Sequence, residues 1–151
     1  IPKLNFNLRF FIIGDGPDEN ALRELSIELG ISDKITFLGF LESKKIDKYL
    51  RNLDIFINCS YFEGFPNSVV ESLASGVPVL ASQSHGGINE IIKNKNFGYI
   101  YKNDNDLIKK LLNFNNKNNK IILNKNEIRN HLKNFSLSEN IKNYSKIFEN
   151  I

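Results

Sequence analysis

Apolar and polar residues along this chain fall into short runs whose period keeps changing. Leu8 to Gly14, LRFFIIG, is almost continuously apolar and is closed by Gly-Asp-Gly-Pro, which predicts a strand buried on both faces, as in parallel sheets. The next segment, DENALRELSIELG, turns to helical spacing, setting Ala21, Leu22, Leu25, Ile27 and Leu29 on one broad face and stopping at Gly30, a residue suited to a helix C-terminus. ITFLGF then predicts a second strand, SKKIDKYLRN a helix capped by Ser43, and DIFINCS a third strand. A helix in PNSVVESLASG, a strand in VPVLAS, a glycine turn and short helix in SHGGINEIIKN, a strand in FGYIY and a helix in DNDLIKKLLNF, with Asp104 as its cap, complete the alternation.

Strand and helix in strict alternation predict an α/β fold, a parallel sheet with helices on both faces and right-handed crossovers. Ligands of such sheets bind beyond the carboxyl ends of the strands. The remainder changes character. NFNNKNNKIILNKN is dominated by asparagine and lysine and reads as a solvated link, and LSENIKNYSKIFENI repeats apolar residues at Ile141, Tyr144, Ile147, Phe148 and Ile151, as an amphipathic helix does. The expected organisation is one domain over 1–151, with residues 113–151 forming the link and C-terminal helices. No internal repeat is present.

Composition narrows the function. A chain of 151 residues, 41% hydrophobic, can bury one core. It has no run of about 18 apolar residues, and IPKLNFNLRF lacks the charged leader and small-residue cleavage site of a signal peptide, so the expected location is the cytoplasm. The single cysteine, Cys59, cannot form an internal disulfide or a cysteine metal cage. A net charge of +3, with lysines spread among carboxylates, does not argue for nucleic acid but suits an anionic small ligand or an anionic membrane surface.

Candidate chemistry centres on Glu63 to Glu71, EGFPNSVVE. Pro66 suits the first turn of a helix, where its missing N–H would have no partner anyway. The amides of Asn67, Ser68 and Val69 would then be unpaired at the positive end of a helix dipole, a ready site for phosphate. Val69, Val70, Leu73 and Ala74 can face inward while Ser68, Glu71 and Ser75 share another face.

FIIGDGPDENALRELSIELGISDKITFLGFL, the pair of glutamates separated by seven residues, ASGVPVLAS and GGINEIIKNKNFGYIY, in that order, resemble the C-terminal domain of the retaining glycosyltransferases of family 4, over roughly residues 8–112. The resemblance implies a Rossmann-like domain, one half of a two-domain enzyme that builds capsule, lipopolysaccharide or other surface glycans from a nucleoside-diphosphate sugar, with no cofactor and no metal. It implies that Glu63 contacts hydroxyls of the transferred sugar and is the catalytic residue, and that the segment Phe65, Pro66, Asn67, Ser68 and Val69 holds the diphosphate. Glu71 would take the ribose, and the backbone near Gly39, Phe40 and Leu41 would border the nucleobase. Gly14 and Gly16 would leave room for the donor, and the loop at Gly86 and Gly87 would bring amides toward it, ahead of an acid at Glu90.

Other residues carry less. Asp104-Asn105-Asp106 has the D-x-D form of metal-dependent glycosyltransferases, but it opens a predicted helix, where Asp104 acts as a cap. His131, in the biased tail, is expected to be structural or solvated, and His85 to be an exposed loop residue or a hydrogen-bonding partner of donor or acceptor. Relatives place an arginine and a lysine for the diphosphate one strand and helix before this chain begins. The expected partners are therefore the nucleotide-sugar donor, a glycan or lipid-linked glycan acceptor and an N-terminal acceptor domain supplied elsewhere, with peripheral membrane association through the parent enzyme and no nucleic acid. The isolated chain is expected to be inactive. The alternatives are an inactive nucleotide-binding module, or an epimerase or phosphorylase of the same fold.

Overall fold

The computed structural model describes residues 8–84, 86–93, 95–115, 121 and 123–148, apart from the side chains of residues 143, 144 and 146–148. Two compact units divide the chain, one running through Lys48 and the other beginning at Tyr49. In the first, β1 (Phe10–Ile13) and β2 (Ile35–Gly39) pair in parallel through α1 (Glu19–Glu28), with Phe10 opposite Ile35 and a register shift that brings Ile13 opposite Gly39. Gly14 leaves β1 at φ +125°, a conformation that disfavours a side chain, and its N–H donates to the Gly39 carbonyl at 2.9 Å. The expected tight turn is therefore present at Gly14. Gly16 has no positive φ, so its glycine identity is not demanded by the turn.

Two expectations for this unit are corrected. β1 is only partly buried, with Phe11 42% exposed, and the apolar face of α1 is open to solvent at Leu22, Leu25, Ile27 and Leu29; only Ser26 of that helix is buried. One helix and two strands offer too little surface to cover every apolar side chain they carry.

α2 (Ser43–Leu50) leads into the second unit, where β3 (Phe56–Asn58), β4 (Val79–Ser82) and β5 (Gly98–Tyr101) pair in parallel in the order β3-β4-β5. The parallel pairing is as expected, but the strands form a two-stranded and a three-stranded sheet. The continuous apolar run of β4 has the buried position first expected of β1, with Val79, Leu80 and Ala81 at 0% exposure. Against it pack Val69 and Leu73 of α3 (Asn67–Ala74), Ile88 and Ile91 of α4 (Ile88–Ile91), and Phe97. α3 ends in a Schellman motif: the N–H of Gly76 donates to Leu73 and that of Val77 to Ser72.

α5 (Asp104–Asn115) follows β5. A further helix, α6 (Lys125–Leu132), which the apolar pattern did not locate, begins where the segment read as a link ends, within the stretch expected to hold C-terminal helices. Asn124 caps it by accepting from the amides of Asn126 and Glu127, at 3.0 and 3.3 Å, and Ile128 enters the core. His131 is structural, as expected. Its Nε2 lies 2.9 Å from the Ile91 carbonyl oxygen, which accepts and so requires the proton on Nε2. Its ring stacks on Phe97 and meets Phe135 edge-on. α7 (Leu137–Phe148) is the expected C-terminal helix, with Leu137 and Ile141 exposed; the expected burial of Tyr144, Ile147, Phe148 and Ile151 falls outside the described residues. Among the described residues no helix is long and apolar enough to cross a membrane.

Candidate functional site

Beyond β3 the chain enters the loop that carries Glu63, and buried polar groups fix where it goes. Asn58, at the end of the strand, is 6% exposed. Its Oδ1 accepts from the Ser60 amide at 3.3 Å and its Nδ2 donates to Ser60 Oγ at 3.4 Å. Tyr101 at the end of β5 donates its hydroxyl to the Asn58 carbonyl at 3.3 Å, and Ser82 at the end of β4 donates to the Ser60 carbonyl. The carboxyl ends of three strands are thus tied together beneath the loop. Burial, with Cys59 as neighbour, raises the pKa of Tyr101, which keeps its hydroxyl a donor.

Gly86 and Gly87 hold the loop from the other side. Gly86 has φ +125°, and a Cβ there would stand 1.7 Å from the Glu63 carbonyl oxygen, so only glycine lets the two backbones approach. The Gly87 N–H donates to the Gly64 carbonyl at 3.2 Å. That amide is committed within the protein, and the pair acts by fixing Glu63 and Gly64. Phe65 leans on Phe135 with ring centroids 5.5 Å apart, and Pro66 is fully buried. Glu63 is half-buried and Glu71 exposed.

The start of α3 corrects the sequence reading. Pro66 is the cap rather than a first-turn residue, with φ −78° and ψ 84°. The Asn67 N–H donates to the Phe65 carbonyl at 3.0 Å and the Val69 N–H to the Pro66 carbonyl at 3.1 Å. The chain makes an inverse γ-turn at Pro66 and then a tight first turn, which consumes two of the three amides expected to be unpaired. Among the described residues, that of Ser68 keeps no backbone acceptor.

Sequence reasoning missed Asn58, Ser60, Ser82 and Tyr101, and also Ser84, 7% exposed with an unpartnered Oγ. Ser84 lines a cavity of about 350 Å³ with Gln83, Gly86 and Asn89. The asparagine inside DIFINCS was the one visible signal, since a polar residue within a buried strand needs partners. His85 lies outside the described residues, and Glu90 is exposed on α4. In the first unit Phe40 is 73% exposed and Leu41 half-buried, following Gly39 with its φ of +63°.

The D-x-D segment is a helix start, but its cap is not Asp104. Asn103 Oδ1 accepts from the Asp106 amide at 3.0 Å, and Asp104 is the first helical residue. Asp106 accepts from the Lys102 amide at 3.1 Å and from Lys110 Nζ at 2.6 Å; the Lys110 bond first, and the Lys102 amide second, hold its pKa below the ordinary carboxylate value. Asp104 and Asp106 line different cavities, so the two carboxylates do not converge on a common point.

A Rossmann-like α/β unit with a glutamate loop beyond its strands belongs to a known class. Residues 1–144 match the family "Glycosyl transferases group 1", and the chain belongs to that family. It is 36% identical over 102 residues to the alpha-monoglucosyldiacylglycerol synthase of Streptococcus pneumoniae, covering 66% of this chain and 22% of that protein. It is 32% identical over 104 residues to an N-acetylgalactosaminyltransferase of Campylobacter jejuni that acts on a diphospho-undecaprenol-linked acceptor, covering 69% and 28%. The chain thus spans about a quarter of the length of these relatives. Among solved structures, the lipopolysaccharide outer core galactosyltransferase WaaB is similar with a TM-score of 0.81 at 24% identity, over 95% of this chain and 41% of that one. Anabaena HepE in complex with UDP and glucose gives 0.74 at 19%, over 93% and 40%. These likenesses establish the fold, a Rossmann-like α/β domain shared with glycosyltransferases.

Proposed function

We propose that this chain is the donor-binding side of a longer enzyme that transfers a sugar from a nucleoside diphosphate to an acceptor hydroxyl, with retention of anomeric configuration. The observation that carries the reading is the backbone lock between Gly86 and Glu63, which fixes the main chain of the half-buried Glu63 ahead of α3. Departure of the diphosphate leaves an oxocarbenium-like sugar. The Ser68 amide and the positive end of α3 stabilise charge developing on the leaving group without having to reorganise. Glu63 positions hydroxyls of the sugar, and Glu71, exposed further along α3, meets the ribose. In the other unit, taken by itself, Phe40 presents a ring on which a nucleobase can stack. No cofactor is required, because positioning and charge stabilisation supply the catalysis.

Family membership supports a transferase over an epimerase, a phosphorylase or an inactive module. The names of the relatives support a glycan or lipid-linked acceptor, met at the cytoplasmic face of a membrane, with an acceptor domain contributed by the rest of the enzyme. HepE and the pneumococcal O-GlcNAc transferase GtfA have both been solved in complex with UDP, so UDP is the first nucleotide to try. Titrated into the labelled chain, UDP should shift the Ser68 amide; Glu71→Gln should weaken that response and Glu63→Gln should leave it nearly intact. Shifts confined to residues remote from α3, or equal losses in both variants, would show the assignment to be wrong.

A further inference from the structure

Between the ends of β3, β4 and β5 lies a cleft of about 670 Å³ that the donor reading does not use. Tyr61 forms one wall, and Gln83, Lys102, Asp104 and Asn105 bring polar groups to it. All of these residues belong to the second unit. The volume lies within the usual range for small-ligand sites of about 300 to 1,000 Å³, and the position, beyond the carboxyl ends of parallel strands, is where such sheets bind. Tyr61 is 96% exposed, so its ring offers a flat apolar face to whatever enters.

The lining also says what kind of ligand fits. Tyr101 and Ser82 reach the cleft with hydroxyls already donated to Asn58 and Ser60, so they act as wall. Lys102 and Asp104 place one cation and one anion among the lining groups, an arrangement without the surplus of positive charge that a phosphate needs. A carboxylate and three primary amides, those of Gln83, Asn103 and Asn105, together with an aromatic ring, suit a neutral ring that carries hydroxyls on its rim and C–H groups on its faces.

We infer that this cleft is a second sugar subsite, in which a pyranose of the acceptor glycan lies on Tyr61 and hydrogen-bonds to Asp104, Asn105 and Gln83. Tyr61 stands two residues before Glu63, so the same loop handles the transferred sugar at one point and the acceptor at another. The inference rests on the proposed transferase reading, but its test needs neither donor nor turnover.

Cys59 is the chain's single cysteine, is exposed and lines the cleft, which makes it a reporter. The rate of its alkylation by iodoacetamide is measured in the full chain with methyl α-glucoside, methyl α-galactoside, the methyl glycoside of N-acetylglucosamine or UDP-glucose, alongside the Tyr61 amide shift. At least one methyl glycoside is expected to slow alkylation and shift Tyr61. Tyr61→Ala should weaken that glycoside about tenfold, Asp104→Asn should weaken it less, and Tyr61→Phe should keep most of the effect. Because Tyr61 is almost fully exposed, its replacement does not threaten the fold, which an unchanged melting temperature checks. Protection by UDP-glucose without protection by any free glycoside would assign the cleft to the donor and overturn the inference. Protection that Tyr61→Ala leaves unchanged, or no protection by any probe, would overturn it as well.

Discussion

At Gly86 a single hydrogen atom in place of a side chain decides where a glutamate sits. The left-handed backbone and the 1.7 Å approach of a notional Cβ to the Glu63 carbonyl oxygen act together, so alanine here must move either its own loop or that of Glu63. Strain of this kind typically costs about 1 to 3 kcal/mol. Gly86→Ala should therefore lower stability by that order, and in the complete enzyme it should depress turnover beyond what the fraction folded explains. Gly87→Ala is a milder change, because its Cβ would meet the Gly64 oxygen at 3.4 Å. Thermal unfolding and transfer rates of the two variants, compared side by side, check the ranking; equal effects would mean that the Glu63 contact is not what constrains the loop.

Among the elements, α5 and α6 show what a helix start reveals in sequence and what it hides. Both are capped by an asparagine, Asn103 through the Asp106 amide and Asn124 through the amides of Asn126 and Glu127. Asn103→Ala should cost about 0.5 to 2 kcal/mol, whereas Asp104→Ala should cost clearly less, since Asp104 only adds a charge near the helix dipole. Denaturant unfolding of the pair decides between them. Asp106 carries a pH dependence with a definite sign. Its pKa is depressed in the folded state, by Lys110 first and the Lys102 amide second, so the stability it adds is present above the unfolded value of about 3.9 and is lost as pH falls through the lower folded value. The stability difference between the protein and Asp106→Asn should be constant near neutral pH and shrink below about pH 4; a difference that grows on acidification contradicts this account. The strands and most of the helices were legible because LRFFIIG, VPVLAS and NSVVESLA carry their period in apolar residues. KNEIRNHL was not, because its one core residue, Ile128, stands among polar neighbours and the surrounding asparagines read as a link. The E-x7-E block was visible by its spacing, but the bonds that hold its loop join residues 22 and 43 positions apart, and no local pattern records such contacts. The amides at the start of α3 were misread for a related reason, since a γ-turn at Pro66 cannot be seen in the residue types alone.

Over the molecule as a whole, apolar burial is uneven, and the unevenness bears on how the site is held. Among the described residues, the buried hydrophobic core residue of the unit through Lys48 is Ile31, whereas the other unit buries fourteen, from Leu50 to Ile128. Backbone amides open with free energies that follow local burial, so β4 should exchange its amide hydrogens most slowly and β1 much faster. The C-terminal segment strengthens the slow part. Ile128 sits in the cluster with Val69, Leu73 and Ile91, and Phe135 supports Phe65 in the glutamate loop. Removing the Ile128 side chain beyond Cβ should cost about 2 to 5 kcal/mol. Because that loss falls on the cluster joining α3, α4 and β4, Ile128→Ala should accelerate exchange at Leu73 and Leu80 by orders of magnitude and loosen the Glu63 loop from behind. Hydrogen exchange followed by NMR or mass spectrometry measures both effects. If β1 proves as protected as β4, or if Ile128→Ala leaves exchange in α3 and β4 unchanged, then the tail is an appendage and the glutamate loop takes its support from the strand ends alone.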